Sequence, residues 1–356
     1  MTPRESILGL NSETLRVRLA TLESLCDLER NEKLNLGGKI GPVLPNYIHV
    51  HTTASYGFIL PGVHSASRMI WAAHEAQVQT VLLIEHESIA HMDEARAAAA
   101  IVNREASHPF RVIFGVEFKA PIAPVDVESR RFRRRIHEAW GQNEAAWVVA
   151  VGANLNPQLA HLVTRFQEAK RWKATRQLDK LSAHLGLLHP LELPKLLTPE
   201  GNVTDRSLSY ALANTKWPKA GDQFLEKQAR AIRKMLNPGG PGFVPFPKGL
   251  PSYQSLIRRL SEMGTIPTFT AQLRGKALEE NLPALIAWGI AALDIAGIEP
   301  DEPDAEKQIY EYISQAEKNN LLIFGGADYR GFGTGWIKNA QWMDHPNFSL
   351  SLNALA

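Results

Sequence analysis

Two histidines spaced one residue apart are the first residues in the sequence whose types and spacing could do chemistry. His49 and His51 lie in the segment YIHVHTTASYG, within and just after a short apolar run. In a β-strand, side chains two positions apart point to the same face, so both imidazoles could bind one metal ion. The pair is a weak signal alone, because simple packing or chance also explains it.

Ionisable groups follow three further apolar runs. The run VLLI leads into Glu85, His86 and Glu87, VIFGV leads into Glu117, and LLIFGGA leads into Asp328. A carboxylate in an apolar strand is costly unless it is paired or bound to a cation. We therefore predict that Glu117 and Asp328 are metal ligands. The alternatives are a buried ion pair and a carboxylate that caps backbone amides.

Short apolar runs alternate with amphipathic stretches over much of the chain, a pattern typical of parallel β-α-β units. Seven runs are enough for a (β/α) barrel, in which the C-terminal ends of the strands meet at one mouth. The predicted strands are Tyr47–Val50, Thr80–Ile84, Arg111–Phe118, Trp147–Val151, Ile266–Phe269, Ala291–Ile295 and Leu321–Phe324. The predicted helices between them cover 64–78, 88–105, 252–263, 276–287 and 304–319.

Two regions depart from this alternation. Residues 1–44 predict an N-terminal helical extension, with Leu15, Leu19, Leu22 and Cys26 on one helical face. Residues 153–250 predict a helical insertion, with helices at 157–185, 190–197, 204–214 and 221–236. The barrel itself is assigned to residues 45–152 and 251–356, the latter including a C-terminal tail.

Taken in order, the segments HVHTTAS, LIEHESIAHMDEA, FGVEF and GGADYRG resemble the PHP (polymerase and histidinol phosphatase) family. The resemblance covers roughly residues 45–152 and 255–335. It implies a distorted (β/α)7 barrel, a site for up to three metal ions and the hydrolysis of phosphoesters. The family's metal-binding positions match His49, His51, Glu117 and Asp328, and its Asp-His pair matches Glu85 and His86.

Several ligand positions of the family hold other residues here. Trp147, Ala271 and Arg330 stand where the resemblance implies histidines, and Tyr56 stands at a common acidic position. These losses remove most ligands of a second and third metal. We therefore predict about one divalent transition metal ion per chain, Zn²⁺, Mn²⁺ or Fe²⁺.

The predicted reaction uses water activated by that metal, with His86 and Glu85 as the catalytic acid–base groups. Arg274 and Arg330 are predicted to bind a small anionic substrate, because a guanidinium can bind a carboxylate or phosphate bidentately. Arg330 could instead pair with Asp328 or Glu117 in a metal-free site. The expected function is a metal-dependent, phosphoesterase-like hydrolase. The alternatives are a catalytically inactive PHP-like module that binds a partner or an anion, and a mononuclear C–N or C–O hydrolase.

Composition limits the partners. The 356 residues carry a formal net charge of +2, which gives no overall attraction to nucleic acid or to an anionic membrane. The run Arg130–Arg135 predicts a solvated face or loop, or else a site for a phosphate-bearing substrate or nucleic acid. One cysteine excludes an intrachain disulfide, and no apolar run approaches the roughly 18 residues of a membrane span. We expect a cytoplasmic protein without a membrane or nucleic-acid partner; its oligomeric state stays open.

Overall fold

A computed structural model describes residues 9–30, 46–56, 63–75, 78, 80–104, 109, 111–140, 145–154, 157–187, 191–198, 201–298 and 303–325. Asp328 and Arg330, two of the predicted site residues, lie outside the described residues.

One mixed sheet forms the centre of the described structure, and it curls into a half-barrel with strand order β1 to β7. Its strands are β1 Asn46–Val50, β2 Thr80–His86, β3 Arg111–Pro121, β4 Ala145–Val151, β5 Ile266–Thr270, β6 Ala292–Asp294 and β7 Leu322–Phe324. Each strand coincides with a predicted apolar run. The predicted α/β fold class is confirmed.

Strand direction departs from the all-parallel expectation at β4. This strand runs antiparallel to both β3 and β5, whereas the other neighbouring strands are parallel. Pro121 at the end of β3 pairs with Ala145 at the start of β4. An apolar run that is buried on both faces carries no information about direction, so the sequence pattern could not reveal this reversal.

Helices cover both the outer face of the sheet and the region between β4 and β5. They are α1 Leu15–Arg30, α2 Thr53–Tyr56, α3 Ala66–Glu75, α4 His91–Asn103, α5 Val127–Trp140, α6 Pro157–Leu185, α7 Asp205–Lys216, α8 Asp222–Met235, α9 Tyr253–Glu262, α10 Gly275–Trp288 and α11 Ala305–Lys318, with a 3₁₀ turn at Leu193–Leu196. Across the part of the chain that the structure describes, none of them has the length and apolar character needed to cross a membrane.

Helix α5 was not among the predicted helices, because its arginines obscure the apolar pattern. Ser129, Phe132 and Ile136 are buried at helical spacing, whereas Arg130 and Arg134 face solvent. The arginine run is therefore a solvated helix face, one of the two structures expected for it.

Alternation along the strands divides the core between the two faces of the sheet. The outer face packs against the helices through residues such as Leu83 and Phe118. The inner face holds a separate apolar cluster made of Leu82, Ile84, Ile113, Val149, Val151, Ala292 and Phe324. At Gly115, a Cβ would lie 2.9 Å from Ile84 Cγ1 and 3.3 Å from the carbonyl oxygen of Ala150. The absence of a side chain at Gly115 therefore lets this inner cluster close.

The segment predicted as an insertion has an apolar cluster of its own. Leu178 on α6, Leu212 on α7 and Leu225 on α8 belong to it. Tyr56 and Val63, which follow β1, are part of the same cluster. The helices between β4 and β5 are thus packed onto the chain that leaves the first strand.

The buried face of helix α1 overlaps the predicted one. Leu22 is fully buried, and Leu19 and Cys26 pack, partly buried, against the core, but Leu15 is 42% exposed. Leu25 and the charged residue Arg18 are also buried. The amphipathic pattern missed Arg18 because it is a core residue only by virtue of its partner, Glu94 on α4.

Arg18 and Glu94 form a two-point ion pair. Arg18 Nε donates to Glu94 Oε1 at 2.8 Å, and Nη2 donates to Oε2 at 2.6 Å. The backbone amide and hydroxyl of Ser67 on α3 donate to Glu94 Oε1 as well. One carboxylate therefore joins α1, α3 and α4.

Replacing Arg18 by Met should lower the free energy of unfolding by about 3–5 kcal/mol, because Glu94 would keep a buried charge without its cation. The double variant R18M/E94Q should recover a large part of that loss, since the amide is neutral and can still accept from Ser67. Urea unfolding of both variants measures the difference. Equal losses in the two variants would contradict this assignment.

Candidate metal centre

The inner face of the sheet changes from apolar to charged toward the C-terminal ends of the parallel strands. His86 on β2 is paired in register with Glu117 on β3, and Lys119 is paired with Trp147 on β4. These residues follow the apolar inner cluster by two-residue steps, so they lie on the same side of the sheet. The strands therefore present a set of polar side chains above an apolar base.

The end of β1 brings in the two predicted histidines through an irregular backbone. The register between β1 and β2 shifts between Tyr47 and Val50, and His49 has a left-handed φ of 60°. The imidazole centroids of His49 and His51 are 5.1 Å apart. A non-glycine residue in this conformation is uncommon and is found preferentially at functional sites.

Both imidazoles face the carboxylate of Glu117. Oε2 of Glu117 is 4.0 Å from Nε2 of His49 and 3.9 Å from Nε2 of His51. All three side chains are buried, and their potential ligand atoms lie within 4.8 Å of one another. The structure thus brings together three of the four predicted metal ligands.

His86 joins this group from β2. Its Nδ1 lies 3.0 Å from Oε2 of Glu117, and its Nε2 lies 2.9 Å from the hydroxyl of Tyr56. Its ring stacks on that of His51 at a centroid distance of 4.4 Å. His86 is therefore close enough either to complete a metal site or to exchange protons beside it.

Asp294 at the end of β6 is a functional residue that the sequence reasoning missed. It is 1% exposed, and its Oδ2 lies 2.5 Å from Nδ1 of His49. A carboxylate accepts, so Nδ1 of His49 carries a proton, and in the neutral imidazole Nε2 is then the atom with the lone pair that a metal ion could bind. The sequence did hold a signal, because Asp294 ends an apolar strand in the same way as Glu117.

This donor set fits a divalent transition metal ion. Two imidazoles and one carboxylate are ligands of Zn²⁺ and of similar ions, and an aspartate that orients a ligating histidine is a common supporting arrangement. In a tetrahedral zinc site, ligand atoms are roughly 3.4 Å apart, given metal–ligand distances near 2.1 Å. His49, His51 and Glu117 need only small side-chain movements to reach that spacing.

Glu85 has different surroundings from those predicted for a catalytic group. Its carboxylate accepts from the backbone amide of Thr52 at 2.9 Å and from the hydroxyl of Ser55. The same Ser55 hydroxyl accepts from the backbone amide of His86 at 2.8 Å. Glu85 is fully buried on the opposite side of β2 from His86. Its contacts therefore hold the segment after β1 in place.

Gln272, at the end of β5, is bonded to the backbone of Trp147 on β4. Gln272 Oε1 accepts from the backbone amide of Trp147 at 2.7 Å, and Gln272 Nε2 donates to the carbonyl of Trp147 at the same distance. Both polar ends of this amide are therefore used within the fold. Gln272 forms a structural link between β4 and the end of β5, next to Trp147 and Ala271, two positions at which the sequence resemblance implies histidines.

A cavity of about 620 Å³ opens above the centre. His49, His86 and Glu117 line one side of it, and the helices between β4 and β5 supply most of the other. Its basic lining residues are Lys119, Lys170, Lys173, Arg206, Arg230, Arg233 and Lys234. The acidic lining residues are Glu117 and Asp205. The cavity therefore has a strong excess of positive charge.

Arg274, a predicted substrate-binding residue, lies elsewhere. It precedes α10 as its N-cap residue and is not part of the lining of this cavity. The positive charge over the centre comes instead from β3 and from α6 to α8. Sequence reasoning could not identify those residues, because nothing in their local pattern separates them from solvated helix charges.

Comparison with solved structures shows the same fold at low sequence identity. A provisionally assigned metal-dependent phosphoesterase from Bifidobacterium adolescentis matches with a TM-score of 0.56 and 18% identity, over 82% of this chain and 90% of that chain. An amidohydrolase from Chromobacterium violaceum, with bound sulfate and no metal, matches with a TM-score of 0.59 and 16% identity, over 84% and 96%. No family model and no curated protein matches the sequence. The similarity shows that this chain shares the α/β barrel fold of these two proteins.

The buried carboxyl of Glu85 gives a pH prediction. Burial raises its pKa from 4.5 to about 7, although hydrogen bonds from Ser55 and Thr52 lower it in part. Folding therefore takes up a proton between about pH 4.5 and 7, and the free energy of unfolding should fall as pH rises through that window. Glu85→Gln removes this contribution. As pH rises from 4.5 to 7.5, the free energy of unfolding of the variant should therefore increase by about 3 kcal/mol relative to that of the unsubstituted protein.

Urea unfolding of both proteins with a metal chelator present, at several pH values, measures this difference. Contributions from other groups, such as buried His91, cancel between the two proteins. A difference that does not change with pH would contradict the prediction.

Proposed function

We propose that this protein is a metal-dependent hydrolase that acts on a small anionic, phosphoester-like substrate. The observation that carries the proposal is the convergence of His49, His51 and Glu117 at one side of a cationic cavity. A divalent metal would be held by these three residues, with Asp328 as the predicted fourth ligand. Such an ion, when bound, would activate water and polarise the oxygen of the scissile bond.

The remaining residues have separate roles in this proposal. Asp294 fixes the tautomer and orientation of His49 through Nδ1. His86 holds or releases a proton beside Glu117, and Tyr56 sets the direction of its ring through Nε2. The basic wall of the cavity binds the anionic group and excludes neutral competitors.

Two solved structures support the reaction class without fixing the substrate. One is described as a metal-dependent phosphoesterase and the other as an amidohydrolase with bound sulfate. A tetrahedral anion in the second protein is consistent with an anion site in this fold. The side chains of Trp147 and Ala271, which cannot bind a metal ion, support the predicted stoichiometry of about one metal per chain.

A mononuclear C–N hydrolase is the second candidate. One set of ligands is sufficient for amide hydrolysis, and the amidohydrolase neighbour has a TM-score of 0.59. The positive cavity favours the phosphoester, because an amide substrate does not itself need several cations. Assays with matched anionic esters and amides separate the two candidates.

The metal-centre assignment predicts about one transition metal ion per chain after purification without a chelator or a His tag. His51→Ala should lose that ion together with hydrolysis of anionic esters, because one of three clustered ligands is removed. The exposed residue His137 on α5 supplies the matched control, since His137→Ala should retain both. Elemental mass spectrometry measures the stoichiometry. No bound metal after Zn²⁺ or Mn²⁺ is supplied would refute the proposal.

Asp294→Asn tests the orientation of His49 separately. The amide lacks the negative charge that favours a proton on Nδ1, so metal affinity should fall about 10- to 100-fold while the three ligands remain. Competition with a chromophoric chelator measures the affinity. Asp304→Asn makes the same change at an exposed position before α11 and should have no effect. Equal affinity in both variants would exclude Asp294 as a supporting residue.

A further inference from the structure

Three lysines of the cavity form a cluster beside the metal centre. Lys119 follows Glu117 by two residues on the same face of β3, and Lys170 and Lys173 come from α6. The side chains of Lys119 and Lys170 are 13% and 11% exposed, and Lys173 is 8% exposed. We call Lys119, Lys170 and Lys173 the lysine cluster.

Two carboxylates lie against the lysine cluster. Lys170 contacts Glu87, which is fully buried, and Nζ of Lys119 lies 3.6 Å from Oδ2 of Asp205. Nζ of Lys173 lies 4.6 Å from the ring centroid of Phe246. Burial favours a higher pKa for Asp205, but Lys173, Lys119 and Lys170 outweigh it and hold the pKa well below its usual value. With both carboxylates ionised, three ammonium groups still exceed two negative charges.

Two members of the lysine cluster lie against Trp147, which in turn lies against His86. Nζ of Lys119 and Nζ of Lys170 lie 5.4 and 5.6 Å from the ring centroid of Trp147. That ring in turn lies 5.0 Å from the ring of His86. Trp147 therefore connects the two ammonium groups to the histidine beside Glu117.

Partly buried positive charge of this kind is costly unless an anion compensates it. Arg206, Arg230 and Arg233 line the same cavity, where Glu226 pairs with Arg206 and Arg230. A carboxylate ligand would offer only two acceptor oxygens to the three ammonium groups. A phosphate group, with more acceptor oxygens and up to two negative charges, can contact all three.

We propose that the lysine cluster binds the phosphoryl group of the substrate and supplies fixed positive charge at the place where the additional metal ligands implied by the family resemblance are lost. This proposal rests on the proposed function for the hydrolysis reaction. The binding of a phosphoryl group by the lysine cluster does not depend on it. The substrate class is accordingly a phosphate ester whose phosphoryl oxygens contact both the metal centre and these ammonium groups.

Inorganic phosphate binding to the full-length, metal-free protein tests the lysine cluster directly. Calorimetric titration at pH 7.5 should show binding that weakens as NaCl is raised, because the contact is between charges. Lys173→Met should weaken phosphate binding about 10-fold, corresponding to the loss of one charge-assisted contact. Lys170→Met combined with Glu87→Gln should do the same without leaving a buried carboxylate unpaired.

Lys227→Met is the matched control, because Lys227 is exposed on α8 and does not line the cavity. It should bind phosphate as the unsubstituted protein does. Circular dichroism and thermal unfolding verify that each variant is folded. No phosphate binding by the unsubstituted protein, or equal binding by folded Lys173→Met, would overturn the proposal.

Zn²⁺ titration of the same proteins keeps the two proposals apart. Zinc binding without phosphate binding would overturn the lysine cluster alone. Phosphate binding without zinc binding would support the lysine cluster and count against the metal-dependent hydrolase. Retained zinc binding with weakened phosphate binding in Lys173→Met is the expected result.

Discussion

The carboxylate of Glu117 is the group on which the whole centre depends. Three imidazoles from two strand ends point toward it, and its nearest partner, Nδ1 of His86, lies 3.0 Å away. A carboxylate on the inner face of a sheet is unfavourable unless positive charge is close by. The curl of the sheet brings the imidazoles of His49, His51 and His86 to Glu117, where they or a bound cation can supply that charge, and Asp294 on β6 reaches His49 on β1 across the interior. Fold and site therefore share one electrostatic constraint.

Much of the fold could be predicted from the sequence. Each apolar run became a strand because burial on both faces needs a continuous apolar segment. The reversal of β4 was missed because the direction of a strand leaves no signal in such an apolar run. Helix α5 was missed because its arginines mask the buried residues Phe132 and Ile136. The proposed domain boundaries remain predictions.

Site residues could be predicted where their signal lies in the neighbouring sequence, but not where distant elements come together only on folding. His49, His51 and Glu117 were visible because each stands at or near the end of an apolar run. Asp294 followed the same rule and was overlooked. The lysine cluster had no local signal, since Lys170 and Lys173 resemble solvated helix charges until α6 is folded against β3. Asp328 and Arg330 stay predictions.

Tyr56 has a consequence for how the parts of the molecule communicate. Its ring belongs to the apolar cluster of the helices between β4 and β5, and its hydroxyl bonds His86. Asn202, at the start of the segment that leads into α7, also donates to the carbonyl of His86 at 2.6 Å. A change that weakens the bond between Tyr56 and His86 would therefore also weaken the docking of those helices, and thermodynamic linkage requires the reverse as well. The helices between β4 and β5 are thus coupled to the centre through Tyr56 as well as forming one of its walls.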